Sequence, residues 1–228
     1  MLISNAKATG KKLLPPTLLR LVKSVLPTKT STKTSSREQA PEYYDEGFIL
    51  SQNSHKHYTE SNHYSLWTLL VDRITRAKAE SLLDIGCGSG QLALFLRDKG
   101  LSRYVGIDFS TKKIEWAKTI CPEFDFIAAD AFKTDLFHSH DYDTVVSTEF
   151  LEHVEQDLDL IEKIRPGIHF YGTVPNFPGR SHVRHFTCTQ KVYDRYGKYF
   201  QAFSVDEVLG VKFISRDHKF YLMEGIKI

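Results

Sequence analysis

The sequence predicts an α/β domain whose sheet is mostly parallel and closes with an antiparallel C-terminal hairpin strand. Three observations carry that expectation. From Ser81 onward, short apolar runs alternate with helical stretches, the pattern of a parallel sheet covered on both faces. The first apolar run, Leu82–Ile85, leads straight into a glycine-rich loop and a helix. At the other end, strand-like runs follow one another with no room for a full crossover helix between the last two.

The 228 residues and 41% hydrophobic content suit one α/β domain of about 150–200 residues plus an extension. We divide the chain into a basic N-terminal extension (1–40), an aromatic-rich lid or helical segment (41–80) and a main domain (81–228). The extension holds eight Lys/Arg and the single acid Glu38, net +7, so the +2 of the whole chain leaves −5 for residues 41–228. A mildly acidic domain argues against a broad nucleic-acid-binding face, so nucleic acid is not the expected partner, although Arg180, Arg184, Lys191, Arg195 and Lys198 form a local basic group. Within the extension, Leu13, Leu14, Leu18, Leu19, Leu21, Val22, Val25 and Leu26 predict one short helix after Pro15–Pro16, stopped by Pro27. A polar Thr/Ser/Lys linker, 28–36, follows it. This extension reads either as a basic patch making weak contact with an anionic membrane surface or as a loosely ordered tail. No apolar run reaches the length of a membrane span, and Lys11, Lys12, Pro15 and Pro16 interrupt any signal-peptide core. Cys87, Cys121 and Cys188 form no disulfide framework, which makes the reducing cytoplasm the expected location.

In residues 41–80 a helix is expected over Ser61–Ala79, burying Leu66, Trp67, Leu69, Leu70, Val71 and Ile74. The preceding aromatics and histidines, Tyr43, Tyr44, Phe48, His55, His57, Tyr58, His63 and Tyr64, read equally as a lid over a ligand or as simple packing. Strands are expected at Leu82–Ile85, Tyr104–Ile107, Phe124–Ala128, Thr144–Ser147 and Ile168–Val174. Helices are expected at Gln91–Lys99, Thr111–Thr119 and Val154–Ile164. The C-terminal strand-like runs are Phe200–Val205, Val208–Ser215 and Phe220–Ile228.

The richest stretch is Asp84-Ile85-Gly86-Cys87-Gly88-Ser89-Gly90. Glycines let a backbone turn sharply and approach a ligand closely, and the helix beyond presents free N–H groups. Asp108, 18 residues past Gly90 and next to Phe109, ends the second strand, where a carboxylate can accept from both ribose hydroxyls of an adenosine. Asp130, between Ala129 and Ala131-Phe132, follows the third strand, placed to accept from an adenine amino group. A GxGxG loop preceded by Asp84, with Gln91 where a third dinucleotide glycine would stand, argues against a nicotinamide-dependent reductase. It suits a ligand with an ammonium end that Asp84 and loop carbonyls can engage.

These motifs, with Val145-Val146-Ser147-Thr148-Glu149-Phe150-Leu151-Glu152-His153, resemble the Rossmann-like class I S-adenosyl-L-methionine (SAM)-dependent methyltransferases over about residues 60–228. The resemblance implies a seven-stranded sheet with one antiparallel strand. It places Gly86, Cys87, Gly88 and Gly90 near the methionyl part of SAM, Asp108 and Phe109 at the ribose, and Asp130, Ala131 and Phe132 at the adenine. The Glu-x-x-Glu-His segment is similar to that of ubiquinone-biosynthesis O-methyltransferases, of small-molecule and glycan methyltransferases, and of small-RNA 3′-terminal 2′-O-methyltransferases.

Glu149, Glu152, His153, His182 and His185 are therefore the candidates for chemistry. Glu149, Glu152 and His153 would suit Mg, Mn or Zn if they converge, with His182 or His185 completing the set. Otherwise His153 serves as a metal-free base or as a packed residue. The expected reaction is methyl transfer to a small-molecule or glycan acceptor, on oxygen. Metal-dependent RNA methylation and non-catalytic SAM binding stand as alternatives.

Overall fold

The structure, a computed structural model, describes residues 37–209 and 218–228. The helix and linker expected within residues 1–36, and the membrane contact assigned to them, lie outside the described residues. In chain order the elements are α1 (Pro41–Leu50), α2 (Tyr64–Arg76), β1 (Ser81–Ile85), α3 (Gln91–Asp98) and β2 (Arg103–Asp108). Next come α4 (Thr111–Ile120), β3 (Asp125–Ala128), α5 (Leu136–Ser139), β4 (Thr144–Thr148) and α6 (Asp157–Lys163). The chain closes with β5 (His169–Pro175), α7 (Thr189–Tyr196), β6 (Phe200–Leu209) and β7 (Lys219–Lys227).

Among the described residues the strands form one seven-stranded sheet, order β3-β2-β1-β4-β5-β7-β6. β1 to β5 are parallel, and β7 runs antiparallel between β5 and β6. This is the predicted α/β class, and no helix of the described residues is long and apolar enough to cross a membrane. Two apolar clusters sandwich the sheet. On one face α2, α3 and α4 contribute Leu66, Leu70, Ile74, Leu92, Phe95, Leu96 and Ile114. On the other, α5, α6 and α7 contribute Phe137, Leu160, Ile161, Val192 and Tyr196. Each such side chain contributes about 1.5–3 kcal/mol of burial.

The expected helix over Ser61–Ala79 is α2, trimmed to the residues whose apolar spacing faces the sheet: Leu66, Trp67, Leu70, Val71 and Ile74 are buried. Leu69, counted with them in the sequence, points outward at 46% exposure, because at 3.6 residues per turn it falls outside the arc that the five buried residues share. The helix expected from Val154 begins only at Asp157. A single 3-10 turn, Leu151–His153, and an extended Val154 come first, so Glu152 and His153 project from a tight corner rather than from a helix. At the C-terminus, Phe200–Val205 and the start of the next expected strand are one continuous strand, β6. A register shift between Gln201 and Ser204 absorbs the irregularity. Asp206 and Glu207 do not break that strand because they face solvent and pair with Arg73 and Lys219.

Because β1 to β4 point the same way, residues 85, 108, 128 and 148 lie along one rim. β1 is flanked by β2 on one side and β4 on the other, so the chain reverses its order of strands there. Helices and loops diverge at such a switch point and leave a crevice.

Candidate active site

The crevice is a cavity of about 610 Å³. Gly86, Asp108, Phe109, Asp130, Ala131 and Phe132 line one end, and Glu149 and His153 the other. Gly86 holds φ +81°, and a Cβ there would sit 2.4 Å from the Phe150 ring, so this loop can exist only with glycine at that position. Gly88 and Gly90 also carry left-handed backbone but lie behind the cavity wall, as does Cys87, a buried thiol.

Asp84 is placed beneath the loop rather than in the cavity wall. One of its oxygens accepts from Tyr104 Oη at 2.7 Å; the other has no hydrogen-bond donor. Burial raises its pKa to about 7, against the Tyr104 hydrogen bond. Asp108, in contrast, has a donor on each oxygen, with acceptor capacity to spare: Oδ2 accepts from Gly88 N–H at 3.0 Å and Oδ1 from Ser110 N–H at 2.9 Å. Asp130 accepts from Phe132 N–H at 2.9 Å and pairs with Lys133 at 3.0 Å. Burial opposes ionisation of Asp130, but these donors outweigh it and hold its carboxyl below the usual range.

At the other end the polar groups are poorly satisfied. Glu149 sits at φ +51°, a backbone conformation that a non-glycine residue adopts only under constraint. Its Oε1 accepts from Thr173 Oγ1 at 3.1 Å, and burial pushes its pKa up to about 8. Glu152 is fully buried with no donor on either carboxylate oxygen. Burial first, and then the neighbouring Glu149, hold its pKa well above normal. His153 donates from Nδ1 to the Ser181 carbonyl at 3.0 Å, which leaves an unprotonated Nε2 3.7 Å from Glu152 Oε1. Burial, then His182, lowers its pKa to about 4, so the ring is neutral at physiological pH.

His182 likewise engages Phe177 O through Nδ1 at 3.1 Å and packs edge-on to His153, ring centroids 4.8 Å apart. Donor atoms of Glu152, His153 and His182 all lie within 4.8 Å of one another. The structure thus brings His182, and not His185, to His153; Glu149 stands beside this group but outside it. His185 lines a separate shallow cleft with Lys191 and Lys198.

Of Arg180, Arg184, Lys191, Arg195 and Lys198, two are neutralised by one buried acid. Arg184 and Arg195 both pair with the buried Asp157. Arg184 also donates to the carbonyls of Leu151, Val154 and Glu155, clamping the corner that carries Glu152 and His153.

Several cavity residues were not singled out from the sequence as site residues. Glu38, Gln39, Ala40 and Pro41 lead into α1 along the rim, and Tyr44 of α1 and Lys113 of α4 complete the wall. Of the aromatics before α2, Tyr44 alone reaches the cavity; Phe48 packs on His55 and Tyr58 stacks on Phe95.

Fold and crevice together have the architecture of the Rossmann-like class I methyltransferases. The comparisons with known proteins agree. Residues 83–166 match a family model described as a methyltransferase domain. The ubiquinone biosynthesis O-methyltransferase of Saccharophagus degradans is 30% identical over 117 residues, 47% of this chain and 49% of that one. The sphingolipid C9-methyltransferase of Candida albicans is 24% identical over 149 residues, 54% of this chain and 29% of that one. The chain thus spans half or less of the length of these curated relatives. Among solved structures, the N-methyltransferase NodS from Bradyrhizobium japonicum WM9, in complex with S-adenosyl-L-homocysteine (SAH), shares the fold. Its TM-score is 0.64 at 15% identity, covering 83% of this chain and 99% of that one.

Proposed function

We propose that the protein transfers the SAM methyl group to a hydroxyl of a small-molecule or glycan acceptor, with His153 taking the hydroxyl proton. The observation that carries this is the state of His153. It stands in the cavity wall, neutral, with Nδ1–H committed to Ser181 and the Nε2 lone pair free. An acceptor oxygen attacks the methyl carbon in line with the departing sulfur. The C–S electron pair stays on sulfur, leaving SAH, and the proton passes to Nε2. A histidine of low pKa suffices for this, because an oxygen that has just gained a methyl group is far more acidic than an imidazolium. The rest of the work is positioning.

In this reading Asp108 receives the ribose hydroxyls, Asp130 and Phe132 the adenine, and the Gly86–Gly90 loop the methionyl part. The unpartnered Asp84 oxygen is available to the ammonium through the loop. The N-methyltransferase and sphingolipid relatives above show how widely acceptors vary on this fold. The test is incubation of the protein with methyl-labelled SAM and a fractionated cell extract. Label in the small-molecule or glycan/lipid fraction supports the proposal, and label confined to RNA overturns the acceptor class.

One observation favours a second reading. The donor-less Glu152 carboxylate, beside two imidazoles whose tautomers leave Nε2 free, fits a divalent cation held by Glu152, His153 and His182. Such an ion would orient and acidify an acceptor hydroxyl, which also accommodates an RNA 3′-terminal ribose. Turnover lost in chelator with SAH binding intact supports this reading, and turnover unchanged in chelator leaves His153 as the proton acceptor.

A further inference from the structure

We infer that Lys163 is a positioning residue for cofactor specificity: by gripping the loop after β3 it holds the Asp130 carboxylate in the orientation that selects adenine. The inference rests on the reading above that Asp130 receives the adenine, and it adds α6 to that end of the site.

Lys163 is the last residue of α6 and does not itself line the cavity. A lysine in the last turn of a helix commonly serves the free carbonyls of its own helix. This one reaches instead to the loop between β3 and α5. There its ammonium donates to the carbonyl of Ala131, at 3.4 Å, and to that of Phe132. Among the described residues these two carbonyls are its hydrogen-bond acceptors, and the buried Phe137 ring stands 5.7 Å from the ammonium.

The same two peptides face Asp130 on their other side. The chain has no cis peptide among the described residues, and a planar trans peptide points its C=O and N–H in opposite directions. The N–H that shares a peptide with the Ala131 carbonyl is that of Phe132, and it donates to Asp130 Oδ1 at 2.9 Å. The N–H that shares a peptide with the Phe132 carbonyl is that of Lys133, and it donates to the main-chain carbonyl of Asp130 at 3.0 Å. Lys163 therefore holds two adjoining peptides from one side while both hold Asp130 from the other. If either peptide turned over, Lys163 would lose an acceptor and Asp130 a donor together. The Lys133 ammonium pairs with Asp130 Oδ2, but its side chain is 83% exposed, and a pair of that kind fixes little.

Orientation matters here because hypoxanthine carries a carbonyl where adenine carries its amino group. A carboxylate held at that point attracts the first base and repels the second, whereas a carboxylate free to turn away does neither.

The test is calorimetric titration of the full chain with SAH and with S-inosyl-L-homocysteine, its hypoxanthine counterpart. The unaltered protein is expected to prefer SAH by roughly 10–100-fold. Lys163→Met keeps the stem and removes the donor. It is expected to cut the preference to about threefold or less, through weaker SAH binding, with the inosyl compound changed less than about twofold. Equal weakening of both ligands would mean that Lys163 merely supports the loop, and overturns the inference, as does an unchanged preference. In an Asp130→Ala background, adding Lys163→Met should shift the preference less than about twofold. A larger shift there would show Lys163 acting by another route and equally overturns it. Should Lys163→Met fold poorly, Lys163→Gln, one bond shorter and uncharged, replaces it and must give the same loss of preference. No preference in the unaltered protein would overturn the adenine placement and the inference with it. A preference that Lys163→Met leaves intact overturns the inference alone, so the two failures are separable.

Discussion

The two ends of the cavity are both built from carboxylates, and they treat them in opposite ways. Asp108 and Asp130 sit at strand ends where backbone N–H groups and a lysine satisfy them, and Asp130 is held below its usual pKa. At the other end the Glu149 carboxyl has one hydrogen bond, from Thr173, and the carboxyl of the buried Glu152 has none, and both are pushed upward. The first end is held in place by these donors before any ligand arrives, as suits a preformed recognition surface. The second carries polar groups that burial penalises. Strain of this kind is retained where it is used, and here it is localised at the proposed acceptor end.

The largest effect should come from the acceptor end. His153→Gln is expected to lower methyl transfer by roughly 10²–10⁴-fold while SAH binds as before. Label transfer and calorimetry on the same preparation check this. A parallel loss of SAH affinity would erase the division between the two ends.

The next prediction concerns pH. The folded-state pKa of Glu149, about 8, lies above its ordinary 4.5, so the native state binds the proton more tightly than the unfolded chain. Its stabilising contribution is full below about 4.5 and is lost as pH rises towards about 8. Within that window the slope approaches about 1.4 kcal/mol per pH unit. Denaturant unfolding with chelator present should show stability falling over this range, and Glu149→Gln should make the fall less steep, the raised Asp84 and Glu152 supplying the remainder. A wild-type profile already flat there would sink the account of the acceptor end.

At the other end, Asp108→Asn is expected to weaken SAH binding by roughly 10–100-fold, through loss of charge-assisted hydrogen bonds of about 1.5–3 kcal/mol. The smallest effect belongs to Asp130→Asn, roughly two- to tenfold in SAH affinity, because an amide oxygen still accepts and the site is more open to water. Calorimetric titration resolves both, and an Asp130 effect exceeding that of Asp108 would reverse the proposed placement of ribose and adenine.

Much of this architecture is legible residue by residue. Leu82–Ile85 followed by Gly86, and the apolar runs ending at Asp108 and before Asp130, mark strand ends and turns through local chemistry alone. In a parallel sheet such ends share one rim. α1 was not anticipated as a helix because only Phe48 of it is buried, which leaves no apolar period to detect; its one start signal is Pro41 at the first turn. The choice between His182 and His185 was equally hidden. The two are three residues apart in an irregular loop, and only the packing of that loop, clamped through Arg184 onto Asp157, turns one towards His153.

By itself, then, the sequence determined the α/β class, the mostly parallel sheet with its antiparallel end, and the strand termini that carry Asp108 and Asp130. These depend on periodicity and turn chemistry, which act over a few residues at a time. The tertiary structure alone decided that Arg184 and Arg195 are spent on Asp157, that Glu152 is buried without a donor, and that Tyr44 meets His153 across more than a hundred residues. Burial and ionisation are properties of what packs around a group, and loops far apart in the chain are brought together only when the sheet has formed beneath them.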